Sequence, residues 1–354
     1  VSEAAPAPAP AARREPPEPL AVLRAAGVIT AEDASGARLH DVSRSHSVTL
    51  VELPGGSSFV VKRVSAAARE EGRSLATELY AYRLASWNPE LAALLPEPVH
   101  LDERNQVVAL VAGPGEHLFP AQWEAPGFPS AGLAAALGRS LAALHTVTAG
   151  LPPVAVATCG VVHLPDTPPE ERQLGGGSAA GEEAIEAIVS DPALAASLRR
   201  TAALLEPGAL VHGDVKWDNA LLDPGPPAAV KLFDWELSGW GDPAWDVGAA
   251  LADTVALAVR LHGAPALADD LAEWLSPALE ALLAAYAPCP GERPAERIAG
   301  CWIARTVHLA LECAATIGSA RHQVVEDLLD AARRMDAGHD ALAAGVDEAL
   351  ASGT

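Results

Sequence analysis

Lysine is nearly missing from this chain: it occurs only at positions 62, 216 and 231, and arginine carries the rest of the positive charge. Cations of either kind are scarce, with 24 Lys and Arg against 46 Asp and Glu, a formal net charge of -22. That sign repels a polyanionic backbone and excludes nucleic acid as a partner. The negative field would attract a cationic substrate, and a solubilising surface accounts for it equally well. Cysteine is also rare. Cys159, Cys289, Cys301 and Cys313 contain no CxxC pair, which argues against a structural zinc or a disulfide framework. No apolar run approaches the roughly 18 residues of a membrane-spanning helix, so no membrane partner is expected. The N-terminus is rich in proline and alanine without an apolar signal core, from which cytoplasmic residence is expected.

What is present is length and one dense stretch. A chain of 354 residues suffices for two lobes and a sizeable core. Residues 210–248 read LVHGDVKWDNALLDPGPPAAVKLFDWELSGWGDPAWDVG. Within it stand His212, Gly213 and Asp214, then Asn219, then Asp234 behind the apolar run 230–233. Phosphoryl transfer needs one carboxylate beside the acceptor hydroxyl, and an amide oxygen and a second carboxylate on the metal. Asp214, Asn219 and Asp234 supply those groups in that order. A loop carrying the first two, followed by a hairpin ending in Asp234, would aim all three into one cleft. The plainer reading, an acidic loop in which Asp and Asn are ordinary turn residues, would need the whole string to arise by accident.

The string HGDVKWDN…DWELSGWGDPAWD resembles the aminoglycoside phosphotransferase group of the protein-kinase-like superfamily. The resemblance spans about residues 36–320. It implies a two-lobed α+β fold with a small antiparallel sheet lobe and a large helical lobe, and an enzyme that moves the γ-phosphate of ATP to a hydroxyl with Mg2+. By the same resemblance Asp214 is the catalytic carboxylate, and Asn219 and Asp234 hold the metal; Lys216, two residues after Asp214, would reach the γ-phosphate and offset its charge. His212 packs beneath the loop, and Asp246 anchors it through backbone hydrogen bonds. Lys216 is a departure, since protein kinases have a lysine there and many small-molecule kinases do not. Together with DWELSGWGDPAWDVG it is similar to the kinase-like proteins of lanthipeptide-type biosynthesis. Those phosphorylate Ser or Thr of a precursor peptide before a partner lyase eliminates the phosphate. The acceptor is therefore expected to be a peptide hydroxyl. The alternatives are an aminoglycoside, another amino-alcohol or a sugar, and a non-catalytic module that presents a peptide to another enzyme.

The rest of the chain falls into place around that stretch. Residues 1–19 are Pro/Ala-rich and expected to be disordered, 20–112 to form the nucleotide-binding lobe, and 113–354 the catalytic and acceptor-binding lobe. A short helix is expected at 20–26, two strands within 38–53 and a third at 57–64. Alternation puts Val60 and Lys62 on one face of the third strand, an aliphatic surface for adenine beside an ammonium for the α- and β-phosphates. There is no GxGxxG; residues 43–47 take its place, with Ser45 and Ser47 as phosphate contacts. A helix is expected over 69–86, whose Glu78 matches the family's partner for the strand lysine. Residues 107–111 form a strand leading to the hinge, where the Val111 carbonyl and the Gly113 N–H would meet the base. A helix at 130–147 precedes a long Pro/Gly-rich loop, 150–181, which would flank the acceptor. Helices then follow at 182–205, 244–262, 267–287, 293–318 and 322–351. His145 reads as a helix-end residue and His308 as core.

Overall fold

β-Branched residues alternating with polar ones build the first sheet, because period-two patterning buries one face. The computed structural model describes residues 17–43, 46–70, 74–112, 116–117, 128–151, 157, 159–172, 178–223, 229–263, 271–286 and 293–353. Strands β1 (Arg38–Asp41), β2 (Ser47–Glu52), β3 (Ser58–Arg63), β4 (Pro98–Asp102) and β5 (Val107–Val111) form an antiparallel sheet in the order β1-β2-β3-β5-β4. Phe59 and Val61 of β3 point into a cluster with Val51, Val107 and Ala109, closed by Val22 and Leu23 of helix α1 (Pro19–Ala25). Val60 and Lys62 lie on the opposite face. A second short helix, α2 (Ala31–Gly36), was not expected. Thr30 and Asp33 start it with a reciprocal capping box.

The helix expected over 69–86 is two helices, α3 (Ala66–Glu70) and α4 (Ala76–Trp87). Gln106, in the left-handed region at φ 54°, explains the second start. Its Oε1 accepts from the Leu75 N–H at 2.8 Å and from Ser74 Oγ at 2.9 Å, taking a donor that a continuous helix would use.

By packing, the chain divides into two units, Val1–Tyr80 with Pro96–Gly113, and Ala81–Leu95 with Pro114–Thr354. In the larger unit helix α5 (Pro89–Ala92) packs on α6 (Ala131–Thr148), which Ser130 caps. Strands β6 (Glu116–His117), β7 (Ala209–Val211), β8 (Ala220–Asp223), β9 (Ala229–Leu232) and β10 (Gly239–Gly241) pair as β6-β8-β9 and β10-β7. The stretch expected as a loop over 150–181 contains helix α7 (Gly160–His163) and two 3-10 turns, Leu164–Asp166 and Pro169–Glu171. The helix expected at 182–205 is α8 (Ala179–Val189) and α9 (Pro192–Leu204). Pro192 brings no N–H, and Asp191 restarts the helix by accepting from the Ala193 and Leu194 N–H groups.

Four helices were expected beyond the active stretch, and the described residues there form five: α10 (Pro243–His262), α11 (Leu271–Tyr286), α12 (Pro294–Ile317), α13 (Gln323–Ala337) and α14 (His339–Ala351). Gly338 divides the last two. Helix α12 is the hub of this unit, packed on α8, α9, α10, α13 and α14. It has the length and hydropathy of a membrane span, but 78% of that window is buried inside the protein, as befits a core helix. At Gly248 on α10 a Cβ would sit 2.7 Å from the backbone of Cys301, so the two helices approach as only glycine allows. The two-lobed α+β architecture expected from the sequence is the one observed.

The core of α12 holds a charge. Arg297 is buried, and its Nη1 donates to both oxygens of Asp242 at 3.0 and 2.9 Å. Asp242 also caps α10 through the Ala244 N–H and accepts from the Glu206 N–H. Burial raises the pKa of Asp242 against the pull of these partners. Arg297→Met should therefore destabilise the protein by about 3–5 kcal/mol, the usual cost of orphaning a buried charge. Because Asp242 can then shed its charge by protonation, the loss should shrink from pH 8 to pH 5 in urea denaturation.

Candidate active site

The loop after β7 is held from below. Asp246, fully buried one turn into α10, accepts from the backbone N–H groups of His212 at 2.7 Å and Gly213 at 2.9 Å. It also accepts from His145 Nε2 at 3.1 Å, whose Nδ1 meets the Tyr286 hydroxyl at 2.7 Å. Burial would raise the Asp246 pKa, but these partners reverse the effect and keep it charged. Gly213 has φ 84°, and a Cβ there would run into the Leu237 carbonyl. His212 donates from Nε2 to the Phe233 carbonyl at 3.0 Å, stacks edge-on against Trp235, and accepts the Asp214 N–H on Nδ1. Asp253 Oδ2 takes the Trp217 N–H at 2.8 Å, while Trp217 Nε1 donates to Thr254. Four anchors thus set the backbone from 212 to 219.

This frame presents Asp214 with cations on both carboxylate oxygens. Lys216 Nζ lies 2.6 Å from Oδ2 and Arg305 Nη2 lies 3.0 Å from Oδ1. Burial alone would raise the Asp214 pKa. Lys216 and Arg305 outweigh it and hold the carboxyl well below the usual carboxylate range. For Lys216 burial pulls the pKa down, Asp214 and Glu312 push it up, and the balance is upward.

Asn219 Nδ2 donates to the Asp214 carbonyl at 3.0 Å and to Oδ2 at 3.2 Å, which turns the amide so that Oδ1 faces away from Asp214. The β8–β9 hairpin pairs Ala220 with Leu232, and the Phe233 N–H donates to the Asn219 carbonyl at 3.1 Å. The register therefore brings Asp234 next to Asn219 along the backbone. Asp234 sits in the left-handed region, φ 69° and ψ 58°, which Asp tolerates better than most residues. An amide oxygen and a carboxylate are hard donors suited to magnesium or calcium. Among the described residues no group of three or more His, Cys, Asp and Glu could hold a metal alone. Such a donor pair fits a cation whose remaining ligands come from phosphate and water.

In the smaller unit Lys62 and Glu78, both buried, form an ion pair of 2.8 Å. Val60 is half-buried on the same face of β3. Ser47 Oγ accepts from Arg63 at 3.3 Å, a local role besides the one expected. The Val111 N–H at the end of β5 bonds the Glu97 carbonyl. Ser45 and Gly113 lie outside the described residues.

Residues 37–289, well over half of the chain, match the profile of the phosphotransferase enzyme family (APH). The chain belongs to that family. No curated protein sequence matches it. Among solved structures it is similar to choline kinase LicA from Streptococcus pneumoniae, with a TM-score of 0.54 at 15% identity, covering 85% of this chain and 94% of that one. It is also similar to a choline/ethanolamine kinase family protein from Mesorhizobium loti, with a TM-score of 0.51, 16% identity and coverages of 89% and 92%. A third is amicoumacin kinase hAmiN, at 0.54, 14%, 92% and 93%. At such identities the likeness is one of fold. As a family member the chain is a phosphotransferase.

Several residues of this phosphotransferase site lay beyond sequence reasoning. Arg305 carries no motif; its one signal is that residues 305, 308 and 312 fall on one face of an apolar helix. His308 was read as core, but it accepts from Arg305 Nη1 on Nδ1 at 2.7 Å. Burial and the Arg305 charge push its pKa down to about 3, so it is neutral. His145 stands in the last turn of α6 as expected, and there it is a buried link between Asp246 and Tyr286.

Asp253 gives a test of the loop's electrostatics. Burial lifts its pKa to about 6 against the Trp217 N–H and Arg260. A carboxyl whose folded pKa exceeds its unfolded value stabilises most below about pH 4, and that contribution is lost as pH rises through about 6. Asp253→Asn keeps an acceptor for the Trp217 N–H and removes the buried charge. It should be more stable than the parent at pH 7.5 by about 1–3 kcal/mol, with the advantage gone at pH 4.5. Urea denaturation at the two values measures the difference.

Proposed function

We propose that this phosphotransferase moves the γ-phosphate of ATP to an alcohol, with Mg2+ at Asn219 and Asp234. The observation that carries the reading is the Asp214 carboxylate, held ionised by Lys216 and Arg305 and hydrogen-bonded to Asn219. Nucleotide and a divalent cation are supported by the AMP in a LicA structure and by the AMP-PNP and Ca2+ in amicoumacin kinase hAmiN. In the smaller unit Lys62, oriented by Glu78, supplies an ammonium for the α- and β-phosphates, and Val60 an apolar surface for the base. The metal neutralises charge on the phosphate oxygens when bound.

Asp214 receives the hydrogen bond of the acceptor hydroxyl. A carboxylate so strongly stabilised is a weak base, so its first task is to orient the oxygen. The proton passes to it late, as the P–O bond forms and the hydroxyl becomes acidic, in keeping with a loose transition state. Lys216, on the same carboxylate, offsets charge on the transferred phosphoryl group.

Two acceptor classes follow from different observations. The Lys216–Asp214 contact favours Ser or Thr of a peptide, because protein kinases place a lysine there. In that case a partner lyase of the lanthipeptide type would use the product. The choline, ethanolamine and amicoumacin kinases among the structural neighbours favour a small molecule. Incubation with magnesium-ATP, aminoglycosides and a Ser/Thr peptide, followed by mass, tells them apart; a phosphorylated aminoglycoside beside an untouched peptide ends the peptide reading.

The division of labour is testable by calorimetry. Asp234→Ala should abolish magnesium-dependent nucleotide binding. Asp214→Asn should leave it nearly intact while slowing transfer by about 10²–10⁴-fold. Equal loss of binding in both would refute the assignment. Lys62→Met and Glu78→Gln should each weaken nucleotide turnover, and the double mutant should be little worse than the poorer single one. Additive losses would mean that the pair does not act as a unit.

A further inference from the structure

The charges facing Asp214 are matched within their own cluster. Arg305 takes Oδ1, while Lys216 and Asn219 share Oδ2. Arg305 is 1% exposed and lies over the Trp245 ring, 5.5 Å from its centroid. Its Nη1 donates to His308 Nδ1, which leaves the imidazole proton on Nε2, 3.6 Å from Glu312 Oε1. Glu312, beside His308, is the second carboxylate whose charge acts on this cluster, where Arg305, Lys216 and Arg260 favour its ionised form. Two carboxylates and two cations therefore surround a neutral imidazole. Asp327 on α13 is buried and bonded to Gln323 on the same helix.

We infer that this site accepts a hydroxyl whose neighbouring atoms carry no positive charge, and that Arg305 is the residue that enforces the choice. The inference rests on the kinase reading. An acceptor oxygen bonded to Asp214 lies within hydrogen-bond reach of the carboxylate that Arg305 and Lys216 already hold. An ammonium two carbons from that oxygen would fall within the roughly 4–6 Å over which like charges act strongly. Glu312 could compensate only by giving up part of its attraction to Lys216 and Arg305, leaving the two cations to the single charge of Asp214. A serine or threonine hydroxyl flanked by peptide groups, or a neutral sugar hydroxyl, meets no such penalty. Arg305 here acts through Asp214, as a positioning and selecting residue.

The test uses the full chain with magnesium-ATP and two alcohols of one shape, choline and its uncharged carbon isostere, neohexyl alcohol. Phosphorylated product is read by mass and ADP by a coupled assay. The neutral alcohol should be used with a kcat/KM at least about 10-fold above that of choline. Arg305→Gln keeps an amide donor for Asp214 and removes the cation, so it should narrow that ratio several-fold. Glu312→Gln, which strips an anion from the cluster, should widen it, and it serves alone if Arg305→Gln does not fold. A preference for choline that Glu312→Gln abolishes would overturn the inference, since Glu312 would then be a cation anchor. Hydrolysis of ATP with neither alcohol phosphorylated would overturn it as well. No ADP from either alcohol or from water would remove the kinase reading and this inference together, an outcome distinct from charge-blind transfer.

Discussion

One buried carboxylate, Asp246, fixes the geometry on which the rest of the larger unit depends. It receives two successive backbone N–H groups at the turn that carries His212 and Gly213, and a ring nitrogen of His145 from a different helix. Through His145 and Tyr286 it ties α6, α10 and α11 to the loop. A carboxylate in that position is favourable only while all its partners are present; losing them would leave a buried charge unmatched. The geometry is thus cooperative. The turn also requires Gly213, whose positive φ and lack of a Cβ let the chain pass the Leu237 carbonyl.

The distribution of positive charge carries the same logic. The chain carries a net charge of -22, yet α12 buries two arginines in its apolar length. Arg297 matches Asp242 at the start of α10, and Arg305 matches Asp214 at the reacting position. One helix therefore buttresses both the cap of the neighbouring helix and the ionisation of Asp214, the carboxylate proposed as catalytic. Arginine suits this duty better than lysine because its guanidinium stays charged when buried and binds in a fixed fork. Two of the three lysines, Lys62 and Lys216, stand where a compact ammonium faces phosphate in the proposed reaction.

Much of this was legible in the sequence because it is local. The spacing of Asp214, Asn219 and Asp234 is short, and the hairpin between the last two is announced by apolar strands around a Pro/Gly turn. Strand alternation placed Lys62 opposite Phe59 and Val61, and the Glu78 pairing needed only the right helix turn. Errors came where a single side chain, distant or local, overrode helix periodicity. Gln106 draws off the Leu75 N–H and delays α4, while Asp191 and Pro192 divide a run of apolar residues that reads as continuous. Arg305 was hidden for a different reason. It is separated from Asp214 by 91 residues, and a lone arginine on an apolar helix face says nothing about its partner.

That separation explains why fold and chemistry are easier to read than the acceptor. The residues proposed as catalytic carboxylate and metal donors, Asp214, Asn219 and Asp234, sit in a compact motif, whereas Arg305, which pairs with Asp214, arrives from a helix near the C-terminus. The family frame constrains the first set by chemistry, since every γ-phosphate makes the same demands. It leaves the second set free, since acceptors differ. In this chain the free set brings a cation, not an anion, to the reacting carboxylate. A site of that kind lowers the basicity of Asp214; in the proposed reaction, orientation of the hydroxyl becomes its main contribution, and a charge condition falls on whatever bears that hydroxyl.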